Sequence, residues 1–502
     1  MNAGAKHWLW PSIALVLFAI LAWELHTPNL AFLTDPASGR HLKAGEIILQ
    51  NHAVLHADPF SYHQPPLEWI SFEWLFEAAA AWLAKLGGLT LPYSVGFCLW
   101  ALIPVALWRY LINRNIIWPV AIVYTLLCML FFRSHLLLRP FLITYLFMIV
   151  TVASWQTHER LPRLRDWLLL PLVYLLWANI HGGFAAGLVF LGASWAGKAL
   201  DSWRNRGTGL NQSHLWWLLL IFVCAVATVM NPHGLGLHSQ VWDMVFHIKT
   251  YAYWHEFQPP DFATPNALAV AVLVLLASVL AGRALPGAAQ WKLETILPLV
   301  IFFYFGLKAQ RHVLLLLIVA AYPVCRDWQS LFSQKRMESF INLSHAEKMC
   351  RSHWWQIPLC ALALIWTFYS TTQAARLRIG ALNVSGETIT CVNRNTGLFR
   401  KPLTTTWNAG ALIYYLWPKI KVSFDDRTDL YGDARLCPYI NMLYLKPGWE
   451  AALRAGGYDS AILEPTYPLA QALQHLPDWE MVQNDSLNCV FVRKTALREG
   501  KP

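Results

Sequence analysis

Asp35 stands immediately before a proline in TDPASGRHLKAGEIIL, at the head of a stretch rich in groups that move protons or hold ions. A carboxylate there suits a base toward a hydroxyl or a metal ligand. It equally suits an N-cap for the helix that follows, with Ser38 competing for that position. Asp58 in DPFSY reads first as turn chemistry. Glu73 and Glu77 are four apart, which puts them on one helix face, where two like charges need water, a cation or a shared proton. Farther along come Arg139 in LLLRPF, Asn179 and His181 in ANIHGGF, and Asn231 and His233 in NPHGLG. Glu256 follows in WHEFQPPDF, and Arg311 and His312 in KAQRH. The cations suit a phosphate and the carboxylates suit acid-base work. Near the end, Asp426, Arg427 and Asp429 in VSFDDRTDLYG read either as acceptor-binding groups or as an Asp-Arg pair that fixes a turn.

These residues lie between apolar runs, and the composition says what the runs are. Of 502 residues 56% are hydrophobic and 14% charged, against about 25% charged in ordinary soluble domains. The net charge of +10 is distributed between the apolar runs, which argues for a membrane protein and against a nucleic-acid partner. Eleven segments approach the length a bilayer demands: Trp8 to Trp23, Leu91 to Trp108, Ile116 to Phe132, Phe141 to Trp155, Trp167 to Ile180, Phe184 to Ala199, Trp216 to Met230, Ala267 to Gly282, Ile296 to Leu307, Val313 to Cys325 and Trp354 to Tyr369. Alternate loops differ twofold in Lys and Arg, which places the N-terminus in the cytoplasm. Every candidate residue named above then faces the opposite, outer side. That sidedness requires Leu67 to Leu86, with Glu68, Glu73, Glu77 and Lys85, to lie at the interface as an amphipathic helix; if this stretch crosses instead, everything after it inverts. The first segment, with Lys6 before it and no small-x-small site after it, reads as an uncleaved anchor.

The expected architecture is a polytopic α-helical membrane protein with about 11 transmembrane helices. A long first outer loop, residues 25 to 90, carries interfacial helices, and residues 371 to 502 form a small extracytoplasmic α/β domain after a transmembrane domain of residues 1 to 370. In the last part YDSAILEP and LNCVFVRK read as strands, VSF as a strand leading into a charged turn, and PGWEAALRAGG and PLAQALQHLP as helices. Cys391, Cys437 and Cys489 allow one disulfide with a thiol left over, or three core cysteines.

The string TDPASGRHLKAGEIIL…ADPFSYHQPPLEWISFEWLFE, with its Asp just beyond the first span and its interfacial helix before the second, resembles the GT-C superfamily of membrane glycosyltransferases. That superfamily includes the aminoarabinose transferase of lipid A and the protein O-mannosyltransferases. Within it the chain looks like a group of bacterial membrane proteins with an RP after the third span, N-x-HG, NPxG, an EF and a late D-x-R-x-D-x-Y. These are matched here by Arg139-Pro140, Asn179 to Gly182, Asn231 to Gly234, Glu256-Phe257 and Asp425 to Tyr431. The resemblance implies inverting transfer of a sugar from a polyprenyl-phosphate donor to a glycan, lipid or protein acceptor on the periplasmic side of a bacterial inner membrane. It implies that Asp35 activates the acceptor or binds a divalent metal, with Glu73 or Glu256 as a second carboxylate because no acidic residue follows Asp35 directly. Arg139, Arg311 and His312 would steady the departing phosphate. The rival readings are a transporter or flippase of a lipid-linked substrate, for which paired halves with interrupted helices are lacking, and a polysaccharide polymerase or ligase, whose large loop would fall between late spans.

Overall fold

The computed structural model describes residues 35–132, 137–155, 161–206, 210–261, 263, 292–330, 365, 369, 372 and 383–499, the side chains of 130–132, 205–206, 251, 252, 255, 330 and 499 apart. The first loop contributes α1 (Ser38–Asn51) and α2 (Trp74–Gly87). The helical body follows as α3 (Thr90–Asn113), α4 (Trp118–Phe132), α5 (Phe141–Trp155), α6 (Leu164–Ile180), α7 (Phe184–Arg206) and α8 (Gln212–Val229). A shorter α9 (Gly236–Phe246) leads into two 3-10 turns, Thr250–Tyr253 and His255–Phe257. Then come α10 (Leu293–Lys308), a 3-10 turn at Gln310–His312 and α11 (Val313–Ser330). Eight of the eleven expected apolar segments are thus helices, while Trp8 to Trp23, Ala267 to Gly282 and nearly all of Trp354 to Tyr369 lie outside the described residues. Among the described residues, α3 and α8 are long and apolar enough to cross a membrane, and α4 and α5 are shorter apolar helices.

The late part is α/β, as its short apolar runs predict. It runs α12 (Gly386–Arg394), β1 (Pro402–Thr404), α13 (Ala409–Leu416), α14 (Thr428–Leu443), α15 (Trp449–Gly456), β2 (Ser460–Leu463), α16 (Pro468–Leu473), β3 (Trp479–Asn484), β4 (Cys489–Arg493) and α17 (Lys494–Glu499). The sheet order is β1-β2-β4-β3, with β1 parallel to β2 and the other pairs antiparallel. Leu403 lies opposite Ala461, and Ala461 opposite Phe491. Cys391, Cys437 and Cys489 are free thiols.

Two expected elements differ. Residues 67 to 72 are not helical: Asp58 N–H donates to Leu67 O and Trp69 N–H to His56 O, so this stretch pairs back on the loop and α2 begins only at Trp74. The consecutive prolines Pro65 and Pro66 and the aromatic Trp69 favour that extended course. Nor is VSF, 422–424, a sheet strand. Val422 makes one isolated bridge to Ser61, and the backbone beyond it is satisfied by side chains: Ser423 N–H donates to Thr404 Oγ1, and Arg427 N–H to Asp425 Oδ1.

The helical body has one apolar core, to which the first loop adds Phe72 and Phe76. A second core is shared between the first loop and the sheet: Ala44, Ile47, Phe60 and Trp69 pack with Ile413, Ile462 and Val490. Helix α1 lies between α2 and α13 at contact distances that only glycine permits. A Cβ on Gly45 would sit 1.9 Å from Glu77 O, and one on Gly39 would sit 2.3 Å from Gly410 O.

Candidate functional site

The close approach at Gly45 brings the consecutive residues Arg40 and His41 of α1 onto Glu77 of α2. Arg40 Nη1 donates to Glu77 Oε1 at 3.0 Å, and His41 Nδ1 lies 3.0 Å from the same oxygen. Ser71 Oγ donates to the other oxygen at 3.3 Å. Arg40 Nη2 is 3.3 Å from His41 Nε2; an arginine only donates, so Nε2 accepts and Nδ1 carries the proton given to Glu77. Glu73, at the N-cap of α2, lies 3.8 Å from His41 and 4.0 Å from Arg40. Glu77 is fully buried, whereas the Glu73 side chain is 19% exposed and so opens to solvent. Burial, reinforced by Glu77 and Asp429 and only partly offset by His41 and Arg40, pushes the Glu73 carboxyl up to about 7.

The other edge of Arg40 is held from the C-terminal domain. Its Nε and Nη2 donate to the two oxygens of Asp426 at 2.8 and 2.9 Å. Burial would raise the Asp426 pKa, but the Arg40 guanidinium, with His41 and Arg139 behind it, holds this carboxyl far below the usual range. Asp426 is therefore within electrostatic reach of a second cluster, built on Arg139. Arg139 Nε donates to both Asp35 oxygens at 3.0 Å, and Nη2 donates to Oδ1 at 2.6 Å. Asp35 also accepts from Ala37 N–H at 3.1 Å and Ser38 Oγ at 3.2 Å, and its side chain has no exposed surface. The residue thus serves the start of α1 and fixes Arg139 at the same time. Arg139 Nη1 then reaches Glu256 at 3.9 Å, and Arg311 Nη1 reaches Glu256 at 3.4 Å, with the Arg311 guanidinium 4.4 Å from the Phe257 ring centroid.

The remaining candidates have mainly architectural contacts. Asn179 accepts from Trp74 Nε1 at 2.9 Å and donates to Leu175 O and Met230 O, tying α2, α6 and the end of α8 together. His181 Nδ1 accepts Gly183 N–H and meets Thr144 Oγ1 at 2.8 Å, closing the turn between α6 and α7. His233 belongs to the turn organised by Asn231, which bonds Thr228 O, Gly234 O and His233 N–H, and its ring lies 4.9 Å from that of His56. His312 sits 3.3 Å from Phe305 O. Asp58, Arg427 and Asp425 form a buried triad: Arg427 Nη2 donates to Asp58 at 2.7 Å, Arg427 Nε to Asp425 at 2.9 Å, and Trp69 stacks at 4.4 Å. Of the two readings of the DDRTD turn, this is a geometry-fixing pair at Arg427 and an arginine clamp at Asp426.

The 502-residue sequence matches no protein-family model and no curated protein. Its fold does have solved counterparts. The archaeal oligosaccharyltransferase of Archaeoglobus fulgidus in the apo form superposes with a TM-score of 0.58 at 11% identity, over 91% of this chain and 69% of that one. The same enzyme tethered to an acceptor peptide containing the NVT sequon gives 0.54 at 10% identity, again over 91% and 69%. In complex with an inhibitory peptide and a dolichol-phosphate it gives 0.52 at 11%, over 90% and 69%. The chain has the oligosaccharyltransferase fold. This agrees with the fold expected from the GT-C resemblance, and at such identity the likeness concerns the fold alone.

Within that fold, Arg40 and His41 join Glu73, Glu77 and the other residues singled out in the sequence. Their sequence signal was local: an Arg-His pair in the first turn of the helix after Asp35. His41, Glu73 and Glu77 offer ligand atoms that all lie within 4.8 Å of one another. One imidazole and two carboxylates suit a divalent cation such as Zn²⁺ or Mn²⁺, and the site fits such an ion provided it displaces the His41 to Glu77 hydrogen bond.

Proposed function

We propose that the protein is an integral membrane glycosyltransferase of the bacterial inner membrane that moves a sugar from a polyprenyl-phosphate donor to a glycan, lipid or protein acceptor on the periplasmic side. In this reading the N-terminus is cytoplasmic and the C-terminal domain periplasmic. The observation that carries it is the convergence of Arg139 and Arg311 on one point, with Asp35 locking Arg139 in place, in a fold shared with an enzyme seen with a dolichol-phosphate.

In the reaction the bond between the anomeric carbon and the phosphate oxygen breaks while the acceptor oxygen bonds that carbon from the opposite face. The electron pair leaves on the phosphate, where Arg139 and Arg311 stabilise it without having to move. The acceptor proton goes to Glu73, the carboxylate of the cluster with an open edge. Asp35, whose two oxygens already accept five hydrogen bonds, acts as the positioning residue for Arg139. His41, Glu73 and Glu77 would hold a divalent cation when one is bound, and it would supply positive charge beside the reacting oxygen.

The test is transfer of labelled sugar from a panel of polyprenyl-phosphate sugars in membranes carrying wild-type protein, Asp35→Asn or Glu73→Gln at equal levels, with and without chelator. Transfer that collapses in both variants supports the reading. Full activity in Glu73→Gln removes it as proton acceptor, and no transfer with any donor and acceptor sinks the reaction class. Loss on chelation, restored by one metal, assigns the cation.

A further inference from the structure

His181 closes the turn between α6 and α7 with only one of its two ring nitrogens. Its Nδ1 accepts Gly183 N–H at 3.0 Å and lies 2.8 Å from Thr144 Oγ1. That hydroxyl accepts Trp177 Nε1–H at 2.8 Å, so its own proton is the one directed at Nδ1. With both neighbours donating, Nδ1 carries no proton and the tautomer is fixed with its N–H at Nε2. Gly183 makes this possible: a Cβ there would stand 2.5 Å from Thr144 Oγ1 and 2.9 Å from His181 Nδ1. Thr144 and Trp177 are buried, so the tautomer is set from inside the helical body.

The other nitrogen is left over. Among the described residues none takes the Nε2 proton, and the half-buried ring leaves Nε2 open to solvent. Helix α5 ties this donor to the arginine cluster: Leu142 N–H donates to Arg139 O, so Arg139 stands at the head of the helix whose first turn carries Thr144. Burial, with Arg311 and His41 adding to it, pushes the His181 imidazole down to about 3. The ring is therefore within electrostatic reach of one group from the phosphate cluster and one from the carboxylate cluster. So far below neutrality it trades no proton during turnover, and what it offers is a fixed N–H.

We infer that His181 reads the sugar: its Nε2–H donates to a hydroxyl of the neutral sugar that the phosphate carries. This deepens the transfer proposed above and rests on it. With the phosphate on Arg139 and Arg311 and the acceptor oxygen at Glu73, 3.8 Å from His41, the sugar is the part of the substrate that spans the two clusters. A fixed neutral donor discriminates there. A hydroxyl accepts its hydrogen bond, whereas a position lacking oxygen, or one bearing an ammonium, leaves the N–H unpaired. Thr144 and Trp177 act through the ring as positioning residues, because they hold Nδ1 unprotonated and so keep the donor on the open side.

The experiment measures binding of farnesyl phosphate, and of its mannosyl, glucosyl, galactosyl and arabinosyl esters, to the purified full-length chain in detergent. The variants are His181→Asn, whose side-chain oxygen can take over the Gly183 and Thr144 hydrogen bonds while the outward donor is lost, His181→Gln, which keeps an outward N–H, and Arg311→Gln. The expected result is that His181→Asn weakens the ester bound best by wild type about three- to tenfold, leaves farnesyl phosphate within about twofold, and is largely rescued in His181→Gln, while Arg311→Gln weakens both probes at least tenfold. Monodeoxy analogues of that ester carry the test to the substrate: removing one hydroxyl should weaken wild type by the same factor and His181→Asn no further. Equal loss of farnesyl phosphate and the ester in His181→Asn at unchanged Tm, or no hydroxyl whose removal is silent in that variant, overturns the sugar role and leaves the phosphate reading standing. Binding that is equal in wild type and Arg311→Gln, or absent throughout, overturns the phosphate reading and the inference with it.

Discussion

At the scale of single residues, the site depends on which oxygen of which carboxylate is taken. Asp35 gives both of its oxygens to Arg139 and the start of α1, so Asp35→Asn should reduce transfer mainly by releasing Arg139. Arg139→Lys keeps the charge but loses the two-pronged hold; we expect at least a tenfold fall in kcat/KM for the lipid donor, measured in the labelled-sugar assay. Similar loss in Arg139→Lys and Asp35→Asn, with no further loss in the double variant, would show that the two act as a unit. In the C-terminal domain, burial pushes the Glu464 carboxyl up to about 7, with hydrogen bonds from Thr405, its own backbone and Asn408 offsetting it only in part. A raised folded-state pKa means that the native chain holds the extra proton, so stability falls as pH rises from about 4.5 to 7. Glu464→Gln should flatten this segment of a Tm-against-pH curve in detergent; an unchanged slope would remove Glu464 as its source. Among the site residues, Asp35, Glu73, Arg139, Arg311 and Glu256 were legible because each is ionisable in an otherwise apolar or loop context. Arg40 and His41 were not, because a charged pair inside an ordinary helix reads as a solvated face until the partner helix is known.

Among elements, helix α1 is the frame of the site. One face presents Gly45 to the backbone of Glu77, another presents Gly39 to Gly410 of α13, and between them Arg40 bridges Glu77 and Asp426. Gly45→Ala places a methyl group where there is 1.9 Å to a backbone oxygen. The helices must part, and the Arg40 and His41 hydrogen bonds to Glu77 lengthen or break. We expect transfer to fall at least tenfold with a Tm decrease of several degrees, while Ala44→Gly, one residue earlier, should cost stability with much less effect on turnover. The apolar periodicity gave eight helices close to their observed bounds, since runs of such residues leave few alternatives. It failed at 67–73, where the charge pattern suited an interfacial helix but the prolines and Trp69 commit the chain to pairing with 56–58. The sequence reading also failed at 422–424, read as a strand before a charged turn, where Ser423 instead exchanges hydrogen bonds with Thr404 and its side chain.

For the molecule as a whole, the C-terminal α/β unit is built onto the first loop instead of hanging from the end of the chain. The triad Asp58, Arg427 and Asp425 crosses between them, sealed by Phe60 and Trp69, and the loop's Ala44 and Ile47 complete a core with the sheet. Burial opposes ionisation of Asp58, yet Arg427 and the Ser61 and Phe60 hydrogen bonds outweigh it and hold the carboxyl below its ordinary value. The stability it contributes is therefore present above about pH 4 and lost as pH falls below it. Asp58→Asn leaves Arg427 short of one buried partner and should destabilise the protein by about 3–5 kcal/mol, read as a lowered Tm at pH 7 that converges toward wild type in acid. A parallel offset at both pH values would exclude the ion pair as the cause.

The stitching of Arg40 to Asp426 and of Pro36 to Gly410 also sets a schedule. Synthesis runs from the N-terminus, so residues 35–77 exist long before the turn at 425–429 has been made. Until then Arg40 has no second carboxylate, α1 has no α13 to lean on, and the triad at Arg427 does not exist. A half-made chain can place its helices but holds only a fragment of the site, and the charged groups acquire their working arrangement when the late segment docks. Completion of the chain is thus what completes the cluster, since Arg40 gains its Asp426 clamp only then.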